Sequence, residues 1–316
     1  MATGFVYDSA FLDHDTGPGH PERPDRLRAI VEALRASGLW ERLEHLTFDA
    51  ATPEQLATLH DPVYIERVAA ACAAGTPCID VPDSAVCRDS ERLARLAVGG
   101  VLRAASAVMD GEVANAFCAV RPPGHHAEAG RSMGFCLYGS VALAAHTLTA
   151  VHGLERVAVI DFDVHHGNGT QHMLEDRADV LFVSVHEHPD RQYPGTGYAD
   201  ETGTGPGRGA TLNAPLPPGG GDGAYRRAFD ETVVPRLDRF EPQFVLLSAG
   251  FDAAAADPLG GMNVSTEGFA WMSRQMVEVA RRHAGGRLVS VLEGGYDLDA
   301  LAAGAAAHLQ VLLDAG

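Results

Sequence analysis

The sequence predicts an α/β fold in which a parallel sheet is buried between helical layers, and three observations predict it. Short runs rich in Val, Ile, Leu and Phe recur along the 316 residues. Apolar residues at helical spacing separate them. The His and Asp residues worth noting stand immediately after these runs, where open parallel sheets bind their ligands.

Residues 5–7 form a first short strand. Leu27, Ile30, Val31 and Leu34 then mark one face of a helix, and residues 116–120 form a second weak strand. Four stronger strands follow at 156–161 (RVAVID), 180–186 (VLFVSVH), 243–249 (QFVLLSA) and 287–293 (RLVSVLE). Their continuous apolar character is that of strands covered on both faces. Phe229, Val233, Leu237 and Phe240 form one helical stripe, and Phe269, Met272, Met276 and Val279 another. Both are read as core faces. Ser265 or Thr266 is the expected N-cap of the last, with Glu267 favourable in its first turn. Residues 187–223, rich in Gly and Pro, read as one long irregular connection, a feature that is often functional. No stretch resembles a linker or a repeat, so residues 1–316 are expected to form a single domain.

Hydrophobic residues make up 46% of the chain and charged ones 21%, an ordinary globular composition. The net charge of −18 argues against direct nucleic-acid binding, which needs clustered Lys and Arg. It suits cationic substrates, or serves solubility alone. Cys72, Cys78, Cys87, Cys118 and Cys136 form no CxxC pair and are odd in number, which points to a reducing cytoplasm. No signal peptide and no apolar run of about 18 residues is apparent, so neither export nor a membrane partner is expected. An oligomer is compatible with the sequence.

Four clusters at strand ends carry chemistry. The first is Asp161-Phe162-Asp163-Val164-His165-His166-Gly167-Asn168. Burying so many polar groups is costly unless a metal or tight pairing satisfies them. In extended geometry Asp161, Asp163 and His165 share one side. The second, ending in Asp252, adds a carboxylate to the same rim. Asp163, His165 and Asp252 would give zinc three ligands and leave a position open, the catalytic arrangement. The third places His125 and His126 after Pro122-Pro123-Gly124, one a candidate general base and the other a charge stabiliser. The fourth is Glu293-Gly294-Gly295-Tyr296, where the glycines allow close backbone approach and the phenol can donate to an oxyanion.

Together RPPGHHAE (121–128), GFC (134–136), DFDVHHGNGTQ (161–171), YPGTG (193–197), SAGFDAAAADPLGG (248–261) and LEGGY (292–296) closely resemble the histone deacetylases and their bacterial relatives. The resemblance runs in order from HPERPDRL (20–27) onward. It implies the arginase/deacetylase fold, a single domain with a parallel sheet of about eight strands between helices. It also implies a zinc-dependent amidohydrolase that removes acetyl groups from acetyl-lysine in a peptide or protein, or from an acetylated polyamine. By the same resemblance, one Zn2+ is held by Asp163, His165 and Asp252. His126 is the base, His125 supports it, and Tyr296 stabilises the oxyanion. Asp161 partners His125 and Asn168 partners His126, an asparagine that resembles the class II branch. Gly134, Phe135, Tyr193 and Leu259 match the substrate tunnel, and Asp83 or Ser84 its rim. Asp161, Asp163, His165 and Ser184 match a structural potassium or sodium site, and Arg26 matches an arginine lining an internal cavity.

The sequence departs from the family at Tyr138-Gly139-Ser140, which follows GFC, and at Met173-Leu174, where an aromatic is frequent. Leu259 stands where polyamine-selective relatives carry an acidic gatekeeper, which favours acetyl-lysine or a broad acyl-amine substrate. Glu187, Asp190 or Asp83 are the acidic residues able to substitute for it. A binuclear manganese ureohydrolase and a non-catalytic binding relative are the rival readings.

Overall fold

A computed structural model describes all 316 residues. Eight strands form one sheet: β1 (Thr3–Val6), β2 (Leu43–His45), β3 (Asn115–Cys118), β4 (Val157–Asp161), β5 (Val180–Glu187), β6 (Thr211–Leu216), β7 (Phe244–Ala249) and β8 (Leu288–Leu292). Their order is β2-β1-β3-β8-β7-β4-β5-β6, and every neighbouring pair is parallel. The expected fold class is the one observed. All residues of β1, β3, β4, β5, β7 and β8 are buried, as their unbroken apolar runs require.

The two strands that the sequence did not reveal are the edges. β2 has one buried residue in three, and β6 mixes buried and half-buried positions, with Asn213 and Pro215 in its middle. The stretch 187–223 is therefore not wholly irregular, because β6 lies within it and pairs with β5 from Phe182↔Thr211 to Glu187↔Leu216.

Helices cover both faces. Phe117 of β3 packs edge-on against His308 in the helix Leu298–Ala315, and Asn115 donates to the Leu312 carbonyl of the same helix. Val6, in register with Cys118, instead meets Gly100 of the helix Ser90–Met109. Side chains alternate along a strand, so these helices lie on opposite faces. Leu298–Ala315 packs with the helices Thr266–His283 and Asp25–Ala36. It is the one helix long and apolar enough on average to cross a membrane, although Asp299, His308, Gln310 and Asp314 interrupt it, and it buries one face through Leu301, Ala305, Leu309 and Leu312.

The expected helical stripes face the core, with Phe240 only partly buried. The stripe from Phe229 to Phe240 bends through a π-helical turn, Phe229–Val233, just before Pro235, whose missing N–H cannot continue the regular ladder. Ser265 is the N-cap of Thr266–His283, its hydroxyl accepting the Gly268 N–H at 3.0 Å, and Thr266 is the first helical residue.

Candidate active site

Four adjacent strands, β3, β8, β7 and β4, deliver the four sequence clusters to one end of the sheet. Asp161 closes β4, and the chain then turns so that Asp163 and His165 face Asp252 beyond β7. One donor atom from each of Asp163, His165 and Asp252 lies within 4.8 Å of the others, and all three residues are buried. His165 Nδ1 is 3.0 Å from Asp163 Oδ1 and 3.1 Å from Asp252 Oδ2, so Nδ1 is the atom it would present to a metal held between them.

The remaining carboxylate oxygens are fixed by backbone. Gly294 N–H donates to Asp163 Oδ2 at 2.7 Å, and Val164 N–H to Asp252 Oδ1 at 2.9 Å. A Cβ on Gly294 would stand 2.0 Å from Asp252 Oδ2, so only glycine lets the loop after β8 pass so close to the two carboxylates. Burial, followed by the charge of Asp163, pushes Asp252 up to about 7. Two buried carboxylates converging on one imidazole, without a Lys or Arg among them, fit a divalent cation, which removes that repulsion.

His125 and His126 lie against each other, ring centroids 3.9 Å apart, but their environments differ. Asp161 Oδ2 is 2.9 Å from His125 Nδ1, while Asp161 Oδ1 accepts the Asp163 N–H at 3.0 Å. Burial opposes charge on His125, but Asp163 and Asp161 overcome it and push the ring up to about 10. His126 faces the neutral amide of Asn168, Nδ1 to Oδ1 at 2.7 Å. Burial, then the neighbouring His125 and His165, hold it well below the ordinary imidazole range. One imidazole is thus kept ready to accept a proton and the other to hold one.

A cavity of about 220 Å³ leads to this cluster, lined by Asp83, His126, Gly134, Phe135, His165, Gln192, Tyr193, Leu259 and Tyr296. Phe135 stands edge-on to Tyr296 at 5.8 Å and Tyr193 edge-on to His126 at 5.1 Å, giving the narrow aromatic walls expected. Gly134 (φ +51°) and Phe135 (φ +69°) both take left-handed backbone. A Cβ on Gly134 would lie 2.3 Å from His126 Cδ2, so the wall touches the His126 ring. Burial raises the Tyr296 phenol well above its ordinary value and keeps it a proton donor.

The histone deacetylase domain family matches residues 20–312. The chain belongs to the histone deacetylase family. It is 41% identical over 301 residues to a probable deacetylase of Archaeoglobus fulgidus, covering 95% of this chain and 82% of that one. It is 41% identical over 312 residues to a histone deacetylase-like amidohydrolase of Pseudomonas aeruginosa, covering 93% and 81%. The crystal structure of the HDA15 HD domain superposes with a TM-score of 0.93 at 38% identity, over 99% of this chain and 90% of that one. Family and relatives make the chain a deacetylase of the amidohydrolase type. The ureohydrolase reading gives way.

Within this histone deacetylase fold, several residues take places the sequence did not suggest. Ser84 is fully buried and cannot grip a substrate at the rim; its carbonyl accepts the Ile79 N–H and shapes the turn that carries Asp83. Glu187 is buried as well, with Oε2 accepting from Gly261 N–H at 2.8 Å and Gln192 Nε2 at 3.1 Å, so it braces the rim from below. Asp190 is exposed and accepts the Tyr198 hydroxyl. Asp83 is the carboxylate that lines the cavity. Arg26, expected to line an internal cavity, has its guanidinium committed to the Gly295 and Glu293 carbonyls and to Glu22, and lies 4.9 Å from the Tyr296 ring centre. It is a strut beneath the tyrosine loop.

The two departures from the family meet at one contact. Gly139 begins the helix Ser140–Ala150, and a Cβ there would lie 2.3 Å from Met173 Cε. Met173 fills the space that a side chain at position 139 would need.

Sequence reasoning assigned no role to Glu293, Asp257 or Gln192. Glu293 Oε2 accepts the backbone N–H groups of Gly124 and His125 at 2.7 and 3.1 Å, joining the histidine and tyrosine loops. Burial raises it to about 7. A charged residue directly after an apolar strand was the available signal. Gln192, in a Gly- and Pro-rich loop, carries none.

Proposed function

We propose that the protein is a zinc-dependent deacetylase acting on acetyl-lysine or a similar cationic alkylamine. The observation that carries this reading is the buried Asp163, His165 and Asp252 set at the base of an aromatic-walled cavity also lined by His126 and Tyr296. One Zn2+ held by those three residues would polarise the acyl carbonyl and acidify the attacking water.

The chain's own groups perform the remaining work. Phe135 and Tyr193 hold the alkyl chain between their faces and exclude water from the reacting carbonyl. His126 Nε2 takes the proton of the attacking water as its oxygen adds to that carbonyl. The Tyr296 hydroxyl donates to the developing oxyanion. His125, held through Nδ1 by Asp161, gives its proton to the departing amine as the C–N bond breaks.

Selectivity rests on the mouth of the cavity. Leu259 is apolar, Glu187 is withdrawn into the protein, and Asp83 is left as one carboxylate at the rim. That favours a single peptide-borne acetyl-lysine over a substrate with further ammonium groups along its chain. A structural K+ or Na+ beside Asp161, Asp163, His165 and Ser184 belongs to the same proposal. His186 Nε2–H donates to the Gly197 carbonyl at 2.9 Å, so its Nδ1 accepts the Ser184 hydroxyl at 2.8 Å and leaves the serine lone pairs free for a cation. Five free cysteines suit a cytoplasmic setting.

Side-by-side kcat/KM values for acetyl-lysine peptides and acetylpolyamines test the substrate. Preference for the peptide is expected. A higher value for a polyamine would overturn that assignment.

A further inference from the structure

Asn168 has two faces, and both are occupied. Its Oδ1 meets His126 Nδ1 at 2.7 Å, and its Nδ2 donates to Glu128 Oε1 at 2.9 Å. The same Glu128 oxygen meets His172 Nδ1 at 3.0 Å. Glu128 is about a quarter exposed, with a side-chain accessibility of 27%, and His172 is at the surface with 43%. A line of hydrogen bonds therefore runs from the catalytic base to solvent.

The order of atoms along this line is forced from its outer end. A carboxylate only accepts hydrogen bonds, so the amide must present its NH2 to Glu128; reversed, two acceptors would stand 2.9 Å apart. Asn168 Oδ1 is then the atom facing His126, and it too only accepts. Nδ1 of His126 must carry the proton, which leaves the Nε2 lone pair for the cavity. Asn168 Nδ2 also reaches the His126 carbonyl, but at 3.5 Å, so the short bond to the Glu128 carboxylate is what decides against the turned-over amide, which would otherwise pair equally well with the other tautomer.

We propose that Glu128 is a positioning residue for the base: acting through Asn168, it fixes His126 in the tautomer able to accept a proton. The inference rests on the deacetylase reading, in which His126 Nε2 is the base. Exposed His172 helps to hold the carboxylate in place.

A double-mutant cycle tests it in the metal-loaded protein. Glu128→Ala is expected to lower kcat about tenfold while KM changes by less than about twofold. Metal content and hydroxamate affinity should be retained. In an Asn168→Asp background, either oxygen at position 168 accepts Nδ1–H unaided, so Glu128→Ala should cost nothing further or raise kcat by removing a like charge. Glu128→Gln, which keeps the shape, should fall between wild type and Glu128→Ala. The 15N shifts of the His126 ring should show one tautomer in the wild type and a mixture in Glu128→Ala. Equal kcat for Glu128→Ala and wild type, the same loss in both backgrounds, or an unmixed tautomer in the variant would each overturn the proposal. A wild-type protein that does not deacetylate would instead overturn the deacetylase reading, and the ring shifts would still decide the role of Glu128.

Discussion

Asp257 holds Tyr296 by its backbone, Oδ2 accepting the Tyr296 N–H at 2.6 Å. The same oxygen accepts the Asp297 N–H at 3.2 Å, and Oδ1 accepts that of Leu259 at 3.0 Å. One carboxylate thus ties the phenol loop to the cavity wall. Asp257→Ala should lower kcat by about 10- to 100-fold, as loss of such a support does. Bound metal should remain. Steady-state kinetics with metal analysis checks this, and loss of metal in step with activity would mean that Asp257 acts on the ligands instead.

Tyr296→Phe removes the hydroxyl and little else. The expected cost is one oxyanion donor, on the order of 10² to 10³ in kcat. KM should move far less, because the bond strengthens only as charge develops. Hydroxamate binding, which reads the metal, should persist. Near wild-type turnover of an unactivated acetyl-lysine amide by the variant would remove Tyr296 from the mechanism.

Glu22 gives the fold a pH dependence of its own. Burial alone would raise its carboxyl, but Arg121, which bonds it through Nε and Nη2, and also His14 and Arg26 overcome this and hold it at about 2. Its ordinary value is 4.5, so the stabilisation is complete above that pH and lost as pH falls towards 2. The whole contribution is on the order of 3 kcal/mol. Chemical denaturation between pH 6 and pH 3, read with and without Glu22→Gln, should show a shallower acid loss in the variant.

The central strands and the strand-end chemistry were legible because both faces of the sheet are buried. A continuous apolar run followed by Asp161, Asp163 and His165, or by Glu293 and Tyr296, has few other readings. The edge strands lack such runs, so Leu43–His45 and Thr211–Leu216 left no pattern of their own. Buried polar side chains were the other blind spot. Glu187 and Ser84 look like rim residues in sequence, and only tertiary hydrogen bonds reveal that they face inward.

The pairing of Gly139 with Met173 could not be read locally either, since the two positions are distant in the chain and meet only on folding. Gly139→Ala should destabilise the protein by about 1 to 3 kcal/mol through overpacking. Adding Met173→Ala should recover part of that loss by opening the space, and thermal unfolding of the single and double variants measures it. Additive losses would show that the contact does not govern the site.

The most direct test of the account is zinc titration of metal-stripped protein during hydrolysis of an acetyl-lysine peptide. Activity should return linearly and saturate at one Zn2+ per chain, with Asp252→Asn failing to recover at that ratio. Full turnover in the stripped protein, or a requirement for two ions per chain, would contradict the assignment of Asp163, His165 and Asp252 as a single catalytic zinc site.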